Sequence, residues 1–296
     1  MDNTASADDS AIDASVSVVL VTNVGQGFGR AIALAYGKDD YDVVCVDRDV
    51  DLATKTAAEI EELGGQAIPI QADMSTQLDV TNAFGKVFEI FGNLSGVIHV
   101  AAFESSTRFG DLTASEFDEL LEENLKSTFL TLKTAAKVLK RSWIVLVSPP
   151  RSATEPHMLA VRGAITRMAA GFEARLQDVR VNVVVPSRAA SDPKHDAPLV
   201  HNVRFLGSNE AQGLSGHRLY VSLPPPPRVV ESLLPEVLAA LDDNVRQDDL
   251  EASLFEDDGQ SEHGLDSETD FSRAEQEFPE DEDYDLLRHA HPSERR

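Results

Sequence analysis

The 296-residue sequence has a single cysteine, Cys45, and no run of about 18 apolar residues, the length that crosses a membrane. One cysteine excludes an intramolecular disulfide and suits a reducing compartment, so we predict a cytoplasmic protein. We expect no membrane segment, and the acidic residues 1–14 do not resemble a signal peptide. No basic stripe or metal-ligand motif is present, which argues against binding to nucleic-acid phosphates or to a metal.

Negative charge is in excess, and it is concentrated at the two ends of the sequence. The net charge is −25, of which −14 falls in residues 247–296 and −4 in residues 1–14. We therefore predict a disordered acidic arm over 1–14 and a disordered acidic tail over 247–296. The tail either acts only as a solvated segment or docks on the surface of a basic protein partner.

Between these ends, apolar strands alternate with amphipathic helices across short connections. This order predicts an α/β fold, with a Rossmann-type doubly wound parallel sheet covered by helices on both faces. The hydrophobic content of 42% is sufficient for such a core. The predicted strands cover residues 16–22, 42–47, 66–71, 96–101, 142–148, 179–185 and 217–222. The predicted helices lie near residues 27–37, 52–64, 76–92, 115–140 and 156–177.

A proline run ends the predicted folded body. Residues 224–227 are four consecutive prolines, which can join neither a strand nor the interior of a helix. We therefore place one domain over 15–223, followed by a proline-rich linker with a short helix over 224–246.

A glycine-rich turn joins the first predicted strand to the first helix. It reads Thr-Asn-Val-Gly-Gln-Gly-Phe-Gly from Thr22 to Gly29. Glycines let the backbone approach a pyrophosphate, while the helix N-terminus offers free N–H groups. We predict Thr22, Gly25, Gly27, Phe28 and Gly29 as cofactor-binding residues. A tight turn that binds nothing remains the alternative.

Two aspartates follow the next two predicted strands. A carboxylate at Asp47 would accept hydrogen bonds from both hydroxyls of an adenosine ribose and repel a 2′-phosphate, which favours NAD(H) over NADP(H). The neighbouring Arg48 blurs this preference, and Asp47 could equally be an exposed acid at a strand end. Asp73 is placed to cap the next helix, to contact adenine, or to do both.

Residues 16–222 resemble the short-chain dehydrogenase/reductase (SDR) superfamily. The matching positions of its motifs are Thr22, Gly27, Gly29, Asp73 and Asn124. Asn23 replaces the first glycine of the Thr-Gly-x-x-x-Gly-x-Gly motif, and His99-Val-Ala-Ala102 replaces Asn-Asn-Ala-Gly. The resemblance implies a nicotinamide cofactor, with Ala101 among its contacts.

The resemblance also implies a Tyr-x-x-x-Lys pair that moves the proton, and a serine that holds the substrate oxygen. In this sequence Met158 stands at the tyrosine position and Arg162 at the lysine position. A thioether has no proton to give, and a guanidinium keeps its charge and cannot relay one. The serine position falls on Pro149, which leaves Ser148 as a weak substitute.

Several further positions bear on catalysis. Asn124 is either a helix-packing residue or part of a proton relay. His157 and His99 are the candidate replacement acids. His157 adjoins Met158, but successive helix residues point about 100° apart, so it points away from the expected direction. The segment that should cover the substrate is short, so we predict a lid trimmed to 189–203.

These observations lead to two hypotheses. The first is an SDR-like pseudoenzyme with a binding, regulatory or scaffold role. The alternative is a divergent NAD(P)-dependent oxidoreductase that uses a non-standard acid. In both cases the family resemblance implies packing of the helices at 115–140 and 156–177 against a second subunit. The assembly would be a homodimer, a homotetramer or a hetero-oligomer with an active homologue.

Overall fold

The computed structural model describes residues 17–101, 103–175 and 178–225. The predicted arm over 1–14, most of the linker and its short helix, and the tail over 247–296 lie outside these ranges.

Seven parallel strands form one sheet in the order β3-β2-β1-β4-β5-β6-β7. The strands are β1 Ser17–Thr22, β2 Tyr41–Asp47, β3 Gln66–Gln71, β4 Gly96–Val100, β5 Ser142–Val147, β6 Val179–Pro186 and β7 Arg218–Val221. The helices are α1 Gly27–Tyr36, α2 Val50–Glu62, α3 Gln77–Phe91, α4 Ala114–Leu120, α5 Ser127–Val138, α6 Pro156–Glu173 and α7 Pro193–Gly207. Every strand end lies within one residue of its predicted position.

Helices cover both faces of the sheet, as the near-continuous apolar runs of the strands predict. One buried cluster unites the sheet with α3, α5 and α6, and a second unites it with α1, α2 and α7. The predicted Rossmann-type α/β domain is therefore confirmed. The strand order reverses between β1 and β4, which opens a crevice at their carboxyl ends.

The central strands depend on a glycine that lies beside the single tryptophan. Gly96 of β4 pairs with Trp143 of β5, and the indole stacks on Tyr36 with ring centroids 5.9 Å apart. A Cβ atom on Gly96 would lie 2.2 Å from the indole ring. The absence of a side chain at Gly96 is therefore what lets the indole cover β4.

The helix predicted over 115–140 is wrong in one respect, because it is interrupted by a π-helical turn. Leu121–Lys126 forms this turn between α4 and α5. The hydroxyls of Ser127 and Thr128 donate to the carbonyls of Glu123 and Asn124 at 2.6 Å. Side chains that bond back to the preceding turn compete with the regular helical ladder, which explains the local widening.

The segment 189–203, for which the sequence analysis predicted only a trimmed lid, contains a helix. Most of that segment belongs to α7, a helix missed by the sequence analysis, and α7 packs against α1. Asp192 caps this helix by accepting from the backbone N–H of Lys194 at 2.9 Å, and Leu199 and Val203 are fully buried. The internal Pro198 obscured the helical pattern, since proline usually breaks a helix.

We expect Gly96→Ala to lower the free energy of unfolding by about 1–3 kcal/mol, because an extra methyl overfills a packed core. Denaturation in urea, followed by circular dichroism, measures this change. Gly85→Ala is the matched control, because a Cβ at Gly85 meets nothing within 4 Å. The control should be neutral or slightly stabilising, since alanine favours a helix. Equal stabilities of the two variants would contradict the packing argument.

Candidate functional site

A cleft of about 1040 Å³ lies at the carboxyl ends of β1 to β4. Five of the predicted cofactor-binding residues line it, namely Gly25, Gly27, Phe28, Asp47 and Asp73. The other three, Thr22, Gly29 and Ala101, are buried and are not among the residues that line the cleft. The structure thus brings most of the predicted residues to one surface.

The glycine turn has the geometry of an anion cradle. Gly27 has a φ of +58°, a left-handed conformation that glycine adopts without strain. A Cβ on Gly29 would lie 2.0 Å from the carbonyl oxygen of Asn23. Helix α1 begins at Gly27 without a side-chain cap from Gln26, so its first N–H groups are available to a phosphate. These residues fit the pyrophosphate of a dinucleotide.

Asn23 stands where the resemblance leads one to expect glycine, and the structure explains the exchange. Its φ is +55°, and asparagine tolerates this left-handed region better than most residues. Its side-chain amide donates to the carbonyl of Val100, while Thr22 Oγ1 accepts from the Val100 N–H at 3.0 Å. The turn is therefore tied directly to the end of β4.

His99 completes this joint between β1 and β4. Its Nδ1 lies 3.1 Å from Thr22 Oγ1, and its Nε2 lies 3.1 Å from Ser127 Oγ. The ring is fully buried, and this desolvation lowers the pKa of His99 to about 4. A neutral imidazole thus fills the place of the expected amide and joins β4 to α5.

The two predicted aspartates are both oriented by backbone groups. Asp47 accepts from the N–H of Gly25 at 2.8 Å and from the N–H of Asp49 at 3.0 Å. Asp73 accepts from the N–H and the hydroxyl of Ser75 at 2.8 Å and 2.7 Å. Burial acts to raise the pKa of Asp73, but the hydrogen bonds from Ser75 and Arg48 outweigh it and lower that pKa. Asp73 is therefore held as a carboxylate.

Asn124 lies in the π-helical turn and is fully buried. Its side chain accepts from the N–H of Phe103 at 3.1 Å and donates to the carbonyl of Phe103 at 3.0 Å. Its own carbonyl accepts from Thr128 Oγ1. These contacts hold the segment after β4 against the helix.

The residues at the expected tyrosine, lysine and serine positions do not line the cleft. Met158 is fully buried in the core beside α5. The guanidinium of Arg162 donates to the carbonyls of Pro150 and Ala153, the first at 2.5 Å and the second at 3.2 Å. Ser148 is buried as well, and its hydroxyl donates to the carbonyl of Pro149 at 3.2 Å.

His157 is 2% exposed, under the ring of Phe109 with ring centroids 6.3 Å apart. Within the part of the chain that the structure describes, neither of its ring nitrogens has a hydrogen-bond partner.

The same described residues include no group of three or more His, Cys, Asp or Glu arranged to hold a metal ion. None of their helices combines the length and apolar character of a membrane span.

Residues 17–198 match the family model described as short chain dehydrogenase. The chain belongs to the short-chain dehydrogenase/reductase family. It is 31% identical over 216 residues to 2-(S)-hydroxypropyl-CoM dehydrogenase 3 of Xanthobacter autotrophicus, a match that covers 68% of this chain and 80% of that protein. It is also 38% identical over 122 residues to a short-chain dehydrogenase/reductase of Armillaria gallica, covering 40% of this chain and 47% of that protein.

Solved structures show the same fold. A hydroxysteroid dehydrogenase from Escherichia coli superposes with a TM-score of 0.64 at 21% identity, covering 70% of this SDR chain and 95% of that one. A 3-ketoacyl-ACP reductase from Sinorhizobium meliloti superposes with a TM-score of 0.62 at 28% identity, covering 69% and 97%. Nearly the whole of each of these proteins therefore corresponds to the described SDR domain.

Sequence reasoning missed Glu123 and Glu104, which also line the cleft. Burial raises the pKa of Glu104 above its ordinary value. The signal for Glu123 was its position next to Asn124, but the sequence did not show which of the adjacent acids Glu122 and Glu123 faces the cleft, and the structure shows that it is Glu123.

The buried His99 makes stability depend on pH. Its folded-state pKa of about 4 lies below its ordinary value of 6.5, so the unfolded chain binds more protons between these values. Stability is therefore complete above pH 6.5 and falls as the pH drops towards 4. We expect a loss of about 2–3 kcal/mol between pH 7 and pH 4.5 from this residue, measured by urea denaturation at each pH.

His99→Asn is the matched variant, because an amide can bond to Thr22 and Ser127 but does not titrate. Between pH 7 and pH 4.5, the free energy of unfolding of this variant should fall by about 2–3 kcal/mol less than that of the wild type. Parallel pH curves for the two proteins would show that His99 is not the group responsible.

Proposed function

We propose that this SDR protein binds NAD(H) in the cleft and acts through binding, as a sensor, regulator or scaffold, without the proton transfer of its family. The observation that carries the proposal is a contrast between two halves of one site. Five of the eight residues proposed to bind a dinucleotide line the cleft, whereas the residues at the positions expected to move a proton do not.

Two features of the cleft support the proposed dinucleotide binding, namely the shape of the glycine turn and the dipole of α1. The uncapped start of α1 and the glycine turn suit a pyrophosphate, because helix N-termini stabilise anions. The Asp47 carboxylate at the end of β2 suits the hydroxyls of an adenosine ribose. A bound nicotinamide would supply hydride transfer, and the protein would supply orientation.

The loss of proton chemistry is supported by the surroundings of α6. Met158 is packed in the core, and the carbonyls of Pro150 and Ala153 occupy the guanidinium of Arg162. A positioned acid or base contributes about 10²–10⁴-fold to a rate. The tyrosines among the described residues, Tyr36, Tyr41 and Tyr220, are not among the residues that line the cleft, so they offer no replacement.

A divergent oxidoreductase is the second candidate, and one observation favours it. His157 is buried without a hydrogen-bond partner among the described residues. A buried polar group without a partner lowers the stability of the fold, so its presence calls for an explanation such as a catalytic role. Turnover of NADH with carbonyl substrates that disappears in His157→Ala would support this candidate.

Self-association is supported by apolar side chains on the helices named for it. Phe117 on α4, Phe129 on α5 and Leu159 on α6 are between 37% and 48% exposed. A second copy or an active homologue would cover these side chains.

The acidic tail would dock on a basic protein. The compartment that suits the single thiol is the cytoplasm.

We expect NADH to bind saturably, and Gly27→Asp to weaken that binding at least about tenfold, because a carboxylate enters the anion cradle. Titration by cofactor fluorescence measures both dissociation constants. Gly213→Asp adds the same charge at an exposed glycine outside the cleft and should bind as the wild type does. Absence of binding at millimolar NADH would refute the proposal.

A panel of carbonyl and alcohol substrates tests the catalytic part. We expect no change in NADH absorbance above the buffer rate for any of them, because Met158, Arg162 and Ser148, at or beside the proton-transfer positions of the family, do not line the cleft and a positioned acid or base supplies most of the rate of such a step. Turnover that survives in His157→Ala would contradict both candidate functions and show that another side chain acts as the acid.

A further inference from the structure

The walls of the cleft carry more negative than positive charge. The lining carboxylates are those of Asp47, Asp49, Asp73, Glu104 and Glu123. Among the described residues that line the cleft, Arg48 has the one lysine or arginine side chain. A dinucleotide that carries a further phosphate besides its pyrophosphate therefore depends on Arg48 for a positive charge beside that phosphate.

Arg48 is already engaged by two of these acids. Its guanidinium donates to Glu123 Oε1 at 2.5 Å and to Asp73 Oδ1 at 3.2 Å. Its backbone is held as well, because Gln71 Nε2 donates to the Arg48 carbonyl at 3.1 Å. The hydrogen bond that Arg48 donates to Glu123 is the largest cause that raises the pKa of Arg48.

Glu123 lies in the π-helical turn and reaches Arg48 from it. Glu122, the preceding residue, pairs instead with Lys126 at 2.9 Å, and its side chain is 55% exposed. The side chain of Glu123 is 24% exposed and lines the cleft. Two adjacent acids of equal charge thus differ in whether they face Arg48.

We infer that Glu123, together with Asp73, sets the cofactor preference of this cleft by withholding Arg48 from the 2′-phosphate of NADP(H). This inference rests on the proposed binding of a dinucleotide with its adenosine ribose at Asp47. A 2′-phosphate at that ribose meets the Asp47 and Asp49 carboxylates, and the cation that would balance it is neutralised. NAD(H), which has no such phosphate, is selected.

Glu123 is the partner whose removal gives a clean test. Asp73 also holds Ser75 at the turn before α3, so its removal would disturb the fold of that loop. Glu123→Gln keeps the shape of the side chain and removes its charge. Glu122→Gln makes the same charge change on the same turn but outside the cleft.

The experiment titrates the full chain with NADH and NADPH by cofactor fluorescence, after circular dichroism has verified the fold of each variant. We expect the wild type to bind NADH at least about tenfold more tightly than NADPH. Glu123→Gln should reduce this ratio at least about fivefold, and Glu122→Gln should leave it within about twofold. Adding Arg48→Gln to Glu123→Gln should restore the wild-type preference.

Three results overturn the inference. An unchanged ratio in Glu123→Gln, with normal NADH binding, removes the role of Glu123 but leaves dinucleotide binding intact. A ratio that stays equally low in the double variant shows that Glu123 acts on the preference without Arg48, and not by withholding it. Failure of the wild type to bind either cofactor refutes the proposed function itself. Glu123→Ala repeats the test if Glu123→Gln alters the fold.

Discussion

The polar joint between β1 and β4 is the constraint on which the rest of the cleft depends. Thr22 and Asn23 both bond to Val100, and His99 lies against Thr22. The sheet reverses its strand order at this point, so no helix covers the ends of these two strands. Because the joint fixes the end of β1, it also fixes the glycine turn and the direction in which α1 begins.

The joint combines groups that are costly to bury separately. An unpaired buried imidazole or hydroxyl loses its hydrogen bonds to water, and pairing recovers them. His99 bonds to β1 on one side and to Ser127 of α5 on the other, so it holds three elements with one neutral ring. The same burial that makes this arrangement rigid lowers the pKa of His99 and makes it sensitive to acid.

Electrostatics divide the cleft into two regions. At the start of α1, free N–H groups and the helix dipole favour phosphate. Beyond the ends of β2 and β3, the carboxylates among the described lining residues outnumber the guanidinium of Arg48, and Glu123 and Asp73 accept hydrogen bonds from that guanidinium. A ligand that places two phosphates at α1 and only neutral hydroxyls beside Asp47 suits both regions.

Local periodicity and the ends of strands were sufficient to predict the strands, the glycine turn and the cleft-facing Asp47 and Asp73. They were not sufficient to predict α7, whose helical pattern Pro198 obscured, or the widening at Asn124. The hydrogen bond between Arg48 and Glu123 joins residues 75 positions apart, so it becomes visible only in the folded chain. Such pairings follow from how the strands cross over, which brings distant side chains together and which no local pattern of residues records.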